Sequence, residues 1–341
     1  MTDPIKLIGN VASPYTRKMV AYLRYKRIPY EVIWGQPEDV LQKMNIEPPK
    51  PILLPVFILD RDGRATAVTD STPLIREFEE KYPDRSVLPK DPALNFINFI
   101  LEDFGDEWCT KFMFHYRWYF DEDADNAGTI LPLGINSALK DDELAFFKEH
   151  FAKRQIDRLW VVGSNEDTAE FIDKSYKNVL SIFEDHFKKH PFLLGNFPTS
   201  CDFAVYGQFT QLVGFDPTPR RIAHDISPRT VAYVNTLDDR GGLDYVEENN
   251  TLDSLSDSIH DLFKELATSY VPTMLENHKA IEGGEKEWSV DLAGYPWKQK
   301  SFPYQAKCLD WIRDEFKNLD NENQDKVLGF LTSTNCQSLV E

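Results

Sequence analysis

A short apolar run, Lys6-Leu7-Ile8-Gly9, is followed within four residues by Ser13-Pro14 and then by a helical pattern, and this ordering constrains the fold more than anything else in the chain. The run ends at Gly and Asn and reads as a buried strand. Ser is a good N-cap and Pro suits the first helical position, so a helix opens at Ser13-Pro14. Its apolar stripe is Met19, Val20, Tyr22 and Leu23, and Lys18, Arg24 and Lys26 form the expected wet face. The helix ends near Ile28-Pro29, because the residue before a proline avoids the helical region. Residues 30–34 then read as a second strand, joined to the first by a helical crossover.

The same reading continues through a weaker helix over 37–44 and a strongly apolar stretch over 52–59 interrupted by Pro55. A proline there belongs at a strand start, an edge or a bulge. Asp62-Gly63 is a hairpin signal, 65–68 a short strand, and Asp70-Ser71-Thr72-Pro73 the opening of a helix to about residue 82. The order is β-α-β-α-β-β-α. Pro83, Pro89 and Pro92 mark a linker, which sets the expected boundary: an α/β domain over 1–89 and an all-α domain over 94–341. Helices are expected over 95–119, 141–159, 167–190, 200–215, 228–237, 253–281 and 305–319. The stretch 283–303 reads as a Trp- and Pro-containing loop, an extension begins at about 241, and the last dozen residues are expected to be loosely held.

Charge divides at the same boundary. The formal net charge is −18, yet residues 1–89 carry 13 Lys+Arg against 12 Asp+Glu, and the remainder 25 against 44. An acidic chain lacks the basic face that nucleic acid requires. The near-neutral first segment tolerates an anionic ligand, while the acidic remainder reads as a solvated surface. No apolar run is long enough to span a membrane, and the N-terminus lacks the pattern of a secretory leader. Asn249-Asn250-Thr251 matches a glycosylation acceptor without a leader to support it. Cys109, Cys201, Cys308 and Cys336 are widely spaced, so free thiols in a reducing, cytoplasmic setting are expected and no metal site is.

Four motifs in order carry a resemblance: Ser13-Pro14-Tyr15-Thr16-Arg17 after the first strand, Leu54-Pro55-Val56 before the third, Asp70-Ser71 before the last helix of the first domain, and Phe192-Leu193-Leu194-Gly195 with Thr199-Ser200-Cys201-Asp202 in the second. Together they resemble the glutathione S-transferase family, clearly over 5–89 and moderately over 94–240. The resemblance implies a thioredoxin-like first domain that binds glutathione as co-substrate. It also implies transfer to a small apolar electrophile, a cytoplasmic homodimer and a role in detoxification. The homodimer would bring the last helix of one first domain against its partner's second domain. A scaffold protein that has lost the chemistry, or glutathione-dependent ether cleavage or isomerisation at the same site, remain alternatives.

The resemblance also assigns residues. Ser13 is the activating residue, stabilising the glutathione thiolate at a helix N-terminus, or else is only an N-cap. Tyr15 and Asn10 are candidate supporting donors. Pro55 corresponds to a cis proline that presents the Val56 backbone to the glutathione peptide. Lys50 is assigned to the glycine carboxylate, although Pro48-Pro49-Lys50-Pro51 is longer than the usual turn. Ser71 binds the γ-glutamyl carboxylate and Asp70 its ammonium, or the pair merely caps the helix. Phe104, Trp108, Phe112 and His115, with Tyr15 and either Tyr116 or Arg117, are candidates for the acceptor pocket or for core. Asp103, Asp106 and Glu107 are expected on a solvated face. Thr199 and Asp202 form a capping box, and His260 and His278 are structural or on the surface.

Overall fold

A computed structural model describes residues 3–246 and 248–341; the leader reading rests partly on residues 1 and 2, which lie outside these. The chain begins β1 (Ile5–Gly9), α1 (Pro14–Lys26), β2 (Tyr30–Trp34), α2 (Pro37–Met44), β3 (Val56–Arg61), β4 (Arg64–Val68) and α3 (Ser71–Lys81). The expected order is therefore found. β1 and β2 run parallel, as a helical crossover requires, and β3 is antiparallel to both β1 and β4 in a sheet ordered β2-β1-β3-β4. Asp62 and Gly63 close the β3–β4 hairpin with positive φ at both positions. The apolar stretch from Ile52 is shorter as a strand than expected: it becomes β only at Val56, directly after Pro55, which removes the proline from the ladder.

Register decides where the loops meet. Gly9 pairs with Trp34, Ile8 with Val56, and Phe57 with Val68. The end of β1, the start of β3 and the end of β4 thus share one edge of the sheet, so residues 10–13, Pro55 and residues 69–71 all emerge there.

Helices dominate the remainder: α4 (Pro92–Asp103), a π-helical turn (Phe104–Trp108), α5 (Cys109–Tyr119), α6 (Asp121–Ile135), α7 (Asp141–Ile156), α8 (Ala169–His186), α9 (Ser200–Gly214), α10 (Pro217–Ile226), α11 (Pro228–Leu237), α12 (Asp257–Thr268), α13 (Tyr270–Glu282), α14 (Pro303–Lys317) and α15 (Asn321–Ser333). α9 packs along α1, and Gly207 permits the approach: a methyl group there would sit 2.5 Å from the Pro14 carbonyl oxygen. All four cysteines are buried free thiols, and no helix among the described residues is long and apolar enough to cross a membrane.

Three expectations need correction. The loop over 283–303 contains a β-hairpin, β5 (Glu287–Leu292) and β6 (Tyr295–Lys300), turning on Ala293 and Gly294, both at positive φ. Its inward face brings Trp297 to 5.5 Å from the Trp108 ring. The helix expected over 253–281 breaks at Ser269, and Pro272 falls in the first turn of the second piece, where it displaces no helical hydrogen bond. The C-terminal dozen is held: Cys336 and Leu339 are fully buried, and the Cys336 thiol donates to the Phe263 carbonyl at 3.2 Å.

Candidate functional site

Ser13 is the N-cap of α1. Its Oγ accepts from the Thr16 N–H at 3.2 Å, and among the described residues its own hydroxyl proton has no acceptor. The loop before it is tied locally: Ala12 N–H donates to Asn10 Oδ1 at 2.9 Å and Ser13 N–H to the Asn10 carbonyl at 3.0 Å. Asn10 therefore organises the loop. The Leu54–Pro55 peptide is cis, as is Lys50–Pro51, and Val56 is fully buried at the start of β3. Lys50 lies exposed on the preceding loop.

Asp70 caps α3 with φ of 84°, a region that residues other than glycine rarely occupy and that costs about 1–3 kcal/mol. Its carboxylate accepts from the Tyr304 hydroxyl of α14 at 3.1 Å. Ser71 Oγ accepts from Lys18 Nζ at 3.0 Å, and the same ammonium reaches Glu102 at 3.0 Å and Asp106 at 2.6 Å. Lys18 is thus not on a wet face. It is fully buried, and although burial opposes its charge, Asp106 and Glu102 outweigh that and raise its pKa.

The acidic cluster is likewise not solvated. Glu102, Asp106 and Glu107 are buried, with Asp103 at the rim: Lys18 meets Glu102 and Asp106, Arg76 meets Glu102, α14 packs on α4, and Tyr270 donates to Asp103. Burial would raise Glu102, but Arg76 and Lys18 bring it down to about 2. Asp106 is pushed up to about 6, Asp103 to about 7 and Glu107 to about 8, each chiefly by burial. Among the described residues, Asp106 Oδ1 has no hydrogen-bond partner. It borders a cavity of about 10 Å³, room for about one water, that is also lined by Thr72, Asp103, Glu107, Tyr304 and Cys308.

The structure does not bring the expected acceptor-pocket aromatics to the Ser13 edge. Phe104, Trp108, Phe112 and His115 are fully buried in the helical core, packed against Tyr270, Trp297, Tyr176 and Tyr119 respectively. His115 Nδ1 lies 2.7 Å from Ser164 Oγ, and burial lowers its pKa to about 4. Tyr15 turns its hydroxyl to the Asp106 carbonyl at 2.8 Å, and burial raises its pKa. Tyr116 donates to Asp173, and Arg117 is buried against Asp216. What faces the Ser13 loop instead is α6: Ala12 packs with Trp118 and Leu131, and a methyl group on Gly134 would touch Val11 at 3.6 Å. Pro132 and two glycines had hidden α6 from a periodicity reading.

Residues 7–86 match the family model described as the glutathione S-transferase N-terminal domain. No curated protein matches the chain significantly. Among solved structures, the chain is similar to a beta-etherase from Sphingobium sp. strain SYK-6 (18% identity, 70% of this chain and 96% of that one, TM-score 0.47). It is also similar to a glutathione S-transferase from Rhodospirillum rubrum F11 (18%, 72% and 95%, 0.43). A glutathione transferase family member from Pseudomonas fluorescens Pf-5, solved with two glutathione bound, is a further neighbour (14%, 70% and 91%, 0.44). With its mixed four-stranded sheet and its match over 7–86, the first part of this chain is a glutathione S-transferase N-terminal domain.

Proposed function

We propose that the chain binds glutathione along the shared sheet edge and activates it for attack on an apolar electrophile. The observation that carries this is the convergence, at one edge, of the α1 N-terminus with its Ser13 hydroxyl, the Val56 backbone at the start of β3, and the α3 N-terminus at Asp70-Ser71. A thiol placed over Ser13 meets the unsatisfied N–H groups and positive end of α1, and the hydroxyl donates to the developing thiolate. The thiol proton leaves to solvent. The sulfur then bonds to the electrophilic carbon, and the leaving group departs with its electron pair. The acceptor is assigned to the side of Val11 and Ile135, both half-exposed, rather than to the buried aromatic stripe.

A conjugation assay with an apolar aryl halide tests this, with Ser13→Ala expected to lower kcat by about 10²-fold, the scale of one lost donor at a developing anion. Equal rates in the two proteins would defeat it. The second reading is a scaffold that keeps the fold without the chemistry. It is favoured by one specific observation, that Ser71 and Asp70 are already bonded by Lys18 and Tyr304. Titration calorimetry separates the two: glutathione binding supports the enzyme, and no heat supports the scaffold. Ether cleavage or isomerisation shares the same site and is separated by trying those substrates. The homodimer belongs to the same proposal and is tested by light scattering.

A further inference from the structure

Arg117, on α5, makes a set of bonds that a salt bridge alone does not require. Its Nε lies 3.0 and 3.1 Å from the two carboxylate oxygens of Asp216, and Nη2 donates to Asp216 at 2.9 Å and to Gln211 Oε1 at 2.8 Å. The guanidinium also lies 4.6 Å over the Phe215 ring. Both charged side chains are almost completely buried. These contacts fix the plane and direction of the guanidinium within the helical domain. The remaining nitrogen, Nη1, points out of that frame and donates to the Ala12 carbonyl at 3.1 Å.

The Ala12 carbonyl belongs to the same peptide unit as the Ser13 N–H. That N–H donates to the Asn10 carbonyl at 3.0 Å, so the peptide is held at both ends, by its own loop on one side and by the helical domain on the other. A peptide is planar and rigid, so fixing both its polar groups fixes the axis about which Ser13 turns. We propose that Arg117 is a positioning residue for the Ser13 hydroxyl, acting across the domain interface through the Ala12–Ser13 peptide. The inference rests on the reading of Ser13 as the activating residue.

The paired charges of Arg117 and Asp216 largely cancel outside the pair, so the effect is one of geometry at the sulfur. The glutathione peptide and γ-glutamyl ends are assigned to Val56 and Asp70-Ser71, which Arg117 does not touch. Loss of the fork therefore separates kcat from KM. Arg117→Lys keeps a charge for Asp216 but cannot span Asp216, Gln211 and Ala12 together. The expected result is a fall in kcat on the order of 10–100-fold, the scale set by a small misplacement of a reacting group. The bound glutathione thiol, followed by its thiolate ultraviolet absorbance, is expected to titrate at higher pH, with KM for glutathione within about threefold of wild type.

Asp216→Asn, which loosens the guanidinium but leaves Ala12 and Gln211 as partners, is expected to move the same two readouts less far, and it decides the matter if circular dichroism shows Arg117→Lys unfolded. A folded variant with the wild-type thiol titration and kcat, or with a loss confined to KM, overturns the inference. Ser13→Ala measured alongside separates the two levels. If Ser13→Ala also matches wild type, the Ser13 reading falls and takes this inference with it. If only Ser13→Ala is impaired, the inference alone falls.

Discussion

The Ser13 end and the Asp70-Ser71 end of the shared sheet edge differ in what the chain has done with its own polar groups. At Ser13 the hydroxyl proton has no acceptor among the described residues, half-exposed Val11 stands beside it, and the neighbouring bonds organise backbone only. At Asp70 and Ser71 both side chains are already bonded, one by Tyr304 from α14 and the other by Lys18, above a layer of carboxyl groups in which Glu102, Asp106 and Glu107 are buried and Asp103 lies at the rim. One end is a helix N-terminus whose cap hydroxyl accepts from its own helix. The other has been absorbed into the interface between the first domain and the C-terminal extension. The lesson is that a motif can keep its place in the fold while its side chains serve the protein's own packing.

Removing the cation at the closed end is expected to have the largest effect. Among the described residues, Lys18→Met leaves Asp106 with no charged partner and Glu102 with Arg76 alone, and breaking such a buried pair costs about 3–5 kcal/mol. Urea unfolding measures it, and a loss below about 1 kcal/mol would show that the layer is not held by its charges. The next effect is in pH. Asp103 and Glu107 have folded pKa values of about 7 and about 8, above their ordinary values of 3.8 and 4.5. The folded state therefore keeps protons that the unfolded state has released, and the stability these two groups contribute is lost as pH rises through 7 and 8. Below pH 6.5 the buried His115 and His186, both lowered to about 4, work in the opposite direction, which makes pH 6.5–8 the informative window. A fall of about 1–2 kcal/mol is expected there, and Glu107→Gln should flatten most of it. A flat wild-type profile would mean the two carboxyls are ionised in the fold.

Much of the open end was legible in the sequence, and little of the closed end was. Ser13-Pro14, Leu54-Pro55-Val56 and Asp70-Ser71 are local signals, each within a few residues of the element it begins or ends, and each is found where the pattern put it. Lys18, Asp103, Asp106 and Glu107 looked solvated because charge on a helix usually is. Their partners lie far along the chain: Lys18 meets Glu102 and Asp106 at separations of 84 and 88 residues, Tyr270 donates to Asp103, and Tyr304 shares a cavity with Asp103, Asp106 and Glu107, so no local pattern carries that information. The aromatic stripe was ambiguous for the same reason: periodicity identifies a buried face but not whether a core or a ligand covers it. The β5–β6 hairpin did have a local signal, alternation of Trp288, Val290 and Leu292 before Ala293-Gly294, which the density of Trp and Pro obscured.

Two smaller effects sharpen the contrast between the ends. Tyr304→Phe removes one hydrogen bond from Asp70 and keeps the ring, so it is expected to cost about 0.5–1.5 kcal/mol of stability while freeing the carboxylate for a ligand ammonium. Glutathione affinity by calorimetry should then rise a few-fold, whereas a fall would mean that Tyr304 assists binding. Lys50 lies at the opposite extreme. It is exposed, and among the described residues it makes no side-chain hydrogen bond or ion pair, so Lys50→Ala should leave stability within about 0.5 kcal/mol of wild type. If its ammonium meets the glycine carboxylate as the family resemblance implies, the variant should raise KM for glutathione about two- to fivefold at low salt, the range of an exposed ion pair. That effect should shrink as ionic strength shortens the reach of an exposed charge, whereas the Tyr304→Phe effect, set in a partly buried pair, should persist. Equal salt sensitivity in the two variants would remove the distinction between the closed Asp70-Ser71 end and the exposed Lys50, because only burial separates them.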